Sequence, residues 1–296
     1  MHDIMETVSW IAFAIIAATL VILALRKHSP TMVLAISNCL IFIIGMIESG
    51  GFNATLLTEM GFRSDLSYFV NEPWTIITSM FAHVDPMHLI FNMLFLLVVG
   101  IPLESRIGKE RFIAIYFIGG MIGTVVFAVT ETMAGGHALL VGASGAISAL
   151  MGAMLLLYPR EKIMFFLGPL LTDRFTVRVP ILVWFAIQLL LFTFDDSPVA
   201  YAAHLGGFVA GIGIAWLLRP GGTKSERKMT DGISSLKALC NTSALREMYD
   251  YAENAKDSVT RKIWVERILK DVACPECGAA VKRKGKGFVC TKGHKI

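Results

Sequence analysis

The sequence predicts an all-α membrane protein: a bundle of apolar helices followed by a small soluble module. Three observations predict it. Of the 296 residues, 55% are hydrophobic and only 17% are charged, against about 25% charged in an ordinary soluble domain, and the mean hydropathy is +0.63. The apolar residues form continuous runs rather than alternating ones, and inside lipid a backbone must be helical or closed into a barrel. The basic residues gather in alternate connections between the runs, as expected of a chain that crosses a bilayer repeatedly.

A spanning helix needs about 20 apolar residues. Seven stretches approach that length: 8–25, 31–47, 87–103, 112–131, 139–157, 180–194 and 200–218. Arg26 and Lys27 follow the first. Arg106, Lys109 and Arg111 follow the third. Arg160, Lys162, Arg174 and Arg178 follow the fifth, and Arg219 and Lys224 the seventh. In the other connections only Arg63 is basic. Basic loops favour the cytoplasmic side, so the N-terminus is expected outside and the C-terminus in the cytosol. The first apolar run lacks the basic prelude and small-residue cleavage site of a signal peptide and is expected to remain as a helix. The net charge of +4 fits topology better than nucleic-acid binding, and none is expected.

The long outer connection 48–86 holds Phe62, Tyr68, Phe69, Trp74 and Phe81 and is expected to lie in the membrane interface. After Pro220, residues 221–232 are rich in Gly, Lys, Ser and Thr and read as a linker. Residues 233–272 carry Leu236, Leu239, Leu245, Met248, Tyr249, Ile263, Trp264 and Ile268 at helical spacing, which predicts one or two cytosolic helices.

Four polar residues stand out in the apolar runs. Ser144 lies about five residues into the fifth stretch, and His204 about four residues into the seventh. His88 and Asn92 occupy the first turns of the third. All are entered from the same side, so at about 1.5 Å per residue they share one shallow layer. His88 and Asn92, four apart, share a helix face. His204, Gly207 and Gly211 form one stripe, and small residues let helices approach closely, which would bring His204 to Ser144. A serine hydroxyl needs a neighbouring base to become a nucleophile, and a histidine can take and return the proton near neutral pH. The oxyanion then needs fixed donors; the Asn92 amide, a His88 ring N–H and the Ser144 backbone N–H are the candidates. Gly142 and Gly145 beside Ser144 would let a substrate backbone come close. Asp195 and Asp196 stand in the loop before the last helix, but a Ser–His dyad is the expected arrangement. Ser in a membrane helix is commonly packing glue, whereas an intramembrane His is costly and more often functional.

Gly142-Ala143-Ser144-Gly145 with Gly152, Ala203-His204 with Gly207 and Gly211, and His83 with His88 and Asn92 together resemble the motifs of rhomboid intramembrane serine proteases. The resemblance covers about residues 31–218 as a six-helix core and leaves 1–30 as an extra N-terminal transmembrane helix. It implies a protease core over 31–220 that cleaves transmembrane protein substrates near the outer face of the membrane, without a catalytic cofactor. It also implies that His88, Asn92 and the Ser144 amide serve the oxyanion, with His83 supporting them. Ser148 departs from the pattern: well-known bacterial members place an aromatic there, one turn after the nucleophile, to stack on the histidine. A hydrogen bond from Ser148 to His204 is one way to compensate. Glu104, Arg106 and Gly108 resemble a family turn and are expected to be structural. The alternative function is an inactive rhomboid-like chaperone that binds membrane proteins.

The remaining segments are 221–272, linker and helices, and 273–296. Cys274-Pro275-Glu276-Cys277 resembles a zinc knuckle, and Cys290 and His294 supply a second pair. Such a Cys₃His set leaves no coordination position open, so a structural zinc in a zinc-ribbon-like module is expected. Lys282, Arg283, Lys284 and Lys286 make the tail basic. The plasma membrane is the expected location, and the oligomeric state is not legible.

Overall fold

The computed structural model describes residues 7–49, 54–162, 165–167, 170–172, 176–194, 200–219, 233, 235–255, 258–284 and 287–295. Arg174, Asp195, Asp196, the linker 221–232 with Lys224, and Lys286 lie outside the described residues. The chain divides into two units, Met1–Arg219 and Pro220–Ile296.

The first unit contains α1 (Thr7–Leu25), α2 (Pro30–Ser49), α3 (Ala54–Met60), β1 (Phe62–Arg63), α4 (Leu66–Asn71), α5 (Thr75–Thr78) and a 3₁₀ turn at Ser79–Phe81. There follow α6 (Pro86–Ile107), α7 (Lys109–Ala134), β2 (Leu139–Leu140), α8 (Ser144–Leu157), β3 (Phe165–Leu167), β4 (Leu170–Thr172), α9 (Arg178–Phe194) and α10 (Tyr201–Leu217). Among the described residues, four helices are long and apolar enough to cross a bilayer: α1, α2 through Ile47, α6 and α7. The apolar helices α8, α9 and α10 are shorter; α9 and α10 follow the sixth and seventh expected stretches closely, whereas α8 covers only part of the fifth.

The late start of α8 has a structural cause. This 14-residue helix spans about 21 Å, against about 30 Å of hydrocarbon. The apolar run from 139 is continuous, but its first residues are not helical. Leu139 and Leu140 pair antiparallel with Arg63 and Phe62, and Gly142 has φ +114°, which no helix accommodates. Ser144 is therefore the first residue of α8, not its fifth. Irregular backbone is tolerated at membrane depth where it lines a cavity or is buried in protein.

α8 is the centre of the bundle. Ala146 through Met154 are all buried, and α6, α7 and α10 pack around it. The contacts are made by small residues. A Cβ added to Gly207 would run into the Gly145 carbonyl, one on Gly211 into the Ala149 carbonyl, and one on Gly119 of α7 into Ala149 from the other side. Close backbone approach gains dispersion contacts where lipid offers no hydrophobic drive.

At one end of the bundle, polar side chains cap the helices. Glu104 of α6 accepts hydrogen bonds from Ser29 Oγ (2.7 Å) and Thr31 N (3.0 Å), which would otherwise be an orphan donor at the start of α2. Arg26 pairs with Glu110, and Arg106 with Glu161. Gly108 turns the chain between α6 and α7 at φ +82°. At the opposite end, Asp85 caps α6 by accepting from His88 N at 2.8 Å, with Pro86 at the first helical position, where its missing N–H costs nothing. The 54–81 segment is only partly interfacial: Tyr68 and Trp74 are exposed, but Phe62 and Phe81 are buried.

The second unit has α11 (Ser243–Glu253), α12 (Ser258–Asp271), and an antiparallel hairpin of β5 (Val281–Lys284) and β6 (Gly287–Cys290). Thr242 caps α11 by accepting from Leu245 N. Arg261 closes the α11–α12 turn onto the Ala252 and Ala255 carbonyls. Leu236, Leu245, Tyr249, Val265 and Ile268 form one core with Val281, Phe288 and the buried cysteines, so the helical spacing of 233–272 faces a core of its own.

Candidate active site

Ser144 opens α8, and the helix start has no side-chain cap. The first amides of a helix have no intrahelical acceptor, and the aligned peptide dipoles make that end attractive to negative charge. Ser144 thus carries its hydroxyl at the point where backbone donors are free. His204, in the first turn of α10, lies with Nε2 at 2.7 Å from Ser144 Oγ. The glycine seam of Gly207 and Gly211 against Gly145 and Ala149 sets that spacing.

The cavity at this end has a volume of about 1040 Å³ and is lined by Ser144, His204, His88, Asn92, Ser148 and Trp184, among others. Asn92 Nδ2 donates to the His88 carbonyl at 2.8 Å, which leaves its second N–H for another acceptor. Asn92 Oδ1 and His88 Nδ1 are buried without a hydrogen-bond partner among the described residues. A Cβ placed on Gly142 would lie 2.7 Å from His88 Nε2 and 3.8 Å from Ser144 Oγ. The absent side chain of Gly142 therefore keeps open the space between the serine and the His88 ring. His83 does not line this cavity. It is buried and meets the His88 ring edge-on, with centroids 5.1 Å apart. The structure thus brings Ser144, His204, His88 and Asn92 to one cavity and places His83 behind His88.

A Rhomboid domain matches residues 70–221, just over half of the chain. The chain belongs to the rhomboid family. RHOMBOID-like protein 5 of Arabidopsis thaliana is 29% identical over 72% of this chain and 69% of its own length. The Rhomboid protease GluP of Bacillus subtilis is 30% identical over 62% of this chain, which spans about a third of that protein. The Putative rhomboid protease YdcA of the same organism is 32% identical over 49% of this chain and 67% of its own length. Relatives named as mitochondrial also match, so rhomboid membership does not select the membrane. With its apolar helices, it makes this an integral membrane protein.

Two features of this rhomboid site differ from the sequence expectation. Ser148 does not compensate by bonding His204: its hydroxyl donates to the Ser144 carbonyl at 2.6 Å, and the two ring nitrogens of His204 are met by Ser144 and by Gln188. Gln188, on α9, escaped the sequence reading. The signal was available: it is the one polar side chain between Arg178 and Thr193, and a polar group in a membrane helix calls for a partner. Ring packing on His204 comes from Trp184, at a centroid distance of 6.1 Å, and from Tyr201, edge-on at 6.4 Å.

In the second unit, Cys274, Cys277, Cys290 and His294 present ligand atoms that all lie within 4.8 Å of one another. Cys274 Sγ is 3.7 Å from His294 Nδ1, and Cys277 Sγ is 3.7 Å from Cys290 Sγ. Two ligands about 2.3 Å from one tetrahedral ion sit about 3.8 Å apart, so the spacing fits one metal ion. Desolvation opposes ionisation of the Cys274 thiol, but hydrogen bonds from the backbone at Glu276, from His294 and from Cys277 outweigh it and bring the thiol down to about 7.

Proposed function

We propose that this protein is an intramembrane serine endopeptidase that cleaves transmembrane protein substrates near the outer face of the membrane through a Ser144–His204 dyad. The observation that carries this reading is the 2.7 Å contact of His204 Nε2 with Ser144 Oγ, made at an uncapped helix start inside a cavity. His204 removes the hydroxyl proton as Ser144 Oγ attacks the scissile carbonyl, and the charge that develops on the carbonyl oxygen needs preorganised donors. The Ser144 backbone N–H, the free Asn92 N–H and the His88 ring, across the gap kept by Gly142, are the groups in reach. His204 then protonates the leaving amine, the acyl-enzyme remains on Ser144, and a water activated by His204 hydrolyses it. A helical amide is shielded, so the substrate enters laterally between helices and unwinds locally. Residues 31–220 form the protease core. The charge asymmetry of the loops supports an outside N-terminus and a cytosolic C-terminus, and the plasma membrane is the proposed location.

In the tail, Cys274, Cys277, Cys290 and His294 hold a structural zinc. Four protein ligands leave no position for a substrate, and no role in hydrolysis is assigned to it.

A fluorophosphonate probe and a model transmembrane substrate test the proposal on the detergent-solubilised full chain. Labelling and cleavage should both be present in the wild type and absent in Ser144→Ala, and cleavage should be lost in His204→Ala. A folded wild type that binds the substrate but neither cleaves it nor takes the label would make this a binding protein of the same fold.

A further inference from the structure

We propose that Gln188 is a positioning residue for His204, the third member of a Ser–His–Gln triad. This inference rests on the protease reading above and deepens it. A histidine that takes a proton on Nε2 must carry its own proton on Nδ1. Something must therefore accept from Nδ1, both to fix that tautomer and to hold the ring in plane with the serine. Here the Gln188 side-chain carbonyl lies 2.6 Å from His204 Nδ1. An amide oxygen can only accept, so this contact requires Nδ1–H and leaves the Nε2 lone pair aimed at Ser144 Oγ, 2.7 Å away. Presented the other way, the same amide would donate to Nδ1 and force the proton onto Nε2, which disarms the base.

The packing between α9 and α10 holds this arrangement. Trp184 and Gln188 are four apart on α9, and His204 and Phe208 are four apart on α10, so each pair shares a helix face. Trp184 meets both Phe208 and His204 at 6.1 Å, and Phe185 stacks on Phe208 at 4.6 Å. These rings set the height of α9 against α10 and bring Gln188 level with His204. The arrangement answers the departure at Ser148, whose hydroxyl is spent on its own helix. Orientation of the base that an aromatic would supply by stacking is supplied here by a hydrogen bond from the neighbouring helix.

The test compares wild type, Gln188→Leu and Gln188→Glu in the full chain. Leucine keeps the bulk and removes the acceptor; glutamate keeps an acceptor. Gln188→Leu should lower kcat by about 10-fold or more, the scale of one hydrogen bond, with KM and thermal stability little changed. Gln188→Glu should recover much of that loss and move the acid limb of the pH–kcat profile upward, because a carboxylate stabilises the imidazolium. Nitrogen NMR of selectively labelled wild type should show His204 protonated on Nδ1. Wild-type kcat in a folded Gln188→Leu, a loss confined to KM, or an Nε2-protonated ring in the wild type would overturn the role of Gln188. Wild-type protein that takes no fluorophosphonate would instead overturn the protease reading itself, so the two failures are distinguishable.

Discussion

Replacing Gly142 by alanine should cripple the site while leaving the bundle folded, and replacing Gly145 should not, although both glycines lie within two residues of Ser144. Gly142 has φ +114°, a region that costs a side-chain-bearing residue about 1–3 kcal/mol. Its new Cβ would also sit 2.7 Å from His88 Nε2 and 2.8 Å from Cε1. Ordinary contact between such atoms is about 3.5–4.0 Å, so the ring must retreat by about 1 Å. A displacement of that size costs about 10²-fold in rate, and loss of one oxyanion donor costs about 10²–10³-fold. At Gly145 the added Cβ would meet the Ala203 carbonyl at 3.5 Å, an ordinary contact, and alanine favours the helix by about 1 kcal/mol. The assay is the rate of fluorophosphonate labelling and of substrate cleavage, set beside thermal unfolding of each variant. Gly142→Ala should react about 10²-fold or more slowly, and Gly145→Ala within about 3-fold of wild type. A folded Gly142→Ala with wild-type reactivity, or equal damage in both variants, would refute the reasoning.

Other consequences are open to measurement. Gly211→Val would drive a branched side chain into the Ala149 carbonyl; overpacking of this kind costs about 1–3 kcal/mol, and it should lower the unfolding temperature and separate Ser144 from His204. Glu104→Ala removes the acceptor for Ser29 Oγ and Thr31 N and should cost about 1–3 kcal/mol in thermal unfolding, with kcat of the folded fraction unchanged, because it lies at the end of the bundle away from the cavity. Metal analysis of purified protein should find one zinc per chain, lost in Cys277→Ser, and a chelator should melt the hairpin β5–β6 by circular dichroism or proteolysis while fluorophosphonate labelling of Ser144 persists.

Much of this architecture is written in the hydropathy and the charge pattern. The helices α1, α2, α6 and α7 follow apolar runs closely, because a spanning helix must be apolar along its length. The convergence of Ser144, His204, His88 and Asn92 was legible from side of entry and residue spacing. The start of α8 was not. Hydropathy cannot distinguish a helical leucine from Leu139 and Leu140, which pair with β1, and the break at Gly142 is a backbone torsion rather than a polarity. Gln188 stood out by polarity, but its pairing was hidden for a different reason: the partner is His204 on another helix, and no local spacing announces it. The tail gave its ligand set because two short Cys/His spacings are local, while the hairpin that closes it required Val281 and Cys290 to be seen as partners.

The short pairing of Phe62–Arg63 with Leu139–Leu140 has a practical consequence. Together with Ser64 N to the Ala138 carbonyl (3.1 Å) and Gly142 N to the Ser79 carbonyl (2.8 Å), it ties the approach to Ser144 onto a segment that precedes α6. Residues 62–64 fall before the start of the matched Rhomboid domain at residue 70. A shortened chain cut at that point would retain Ser144, His204, Gln188, His88 and Asn92, yet lose most of the moorings that hold the serine at its helix start. Minimal versions of this protein for engineering should therefore begin ahead of Ala54, and truncations made at the motif boundary should lose the proposed activity for want of a strand rather than of a side chain in the cavity.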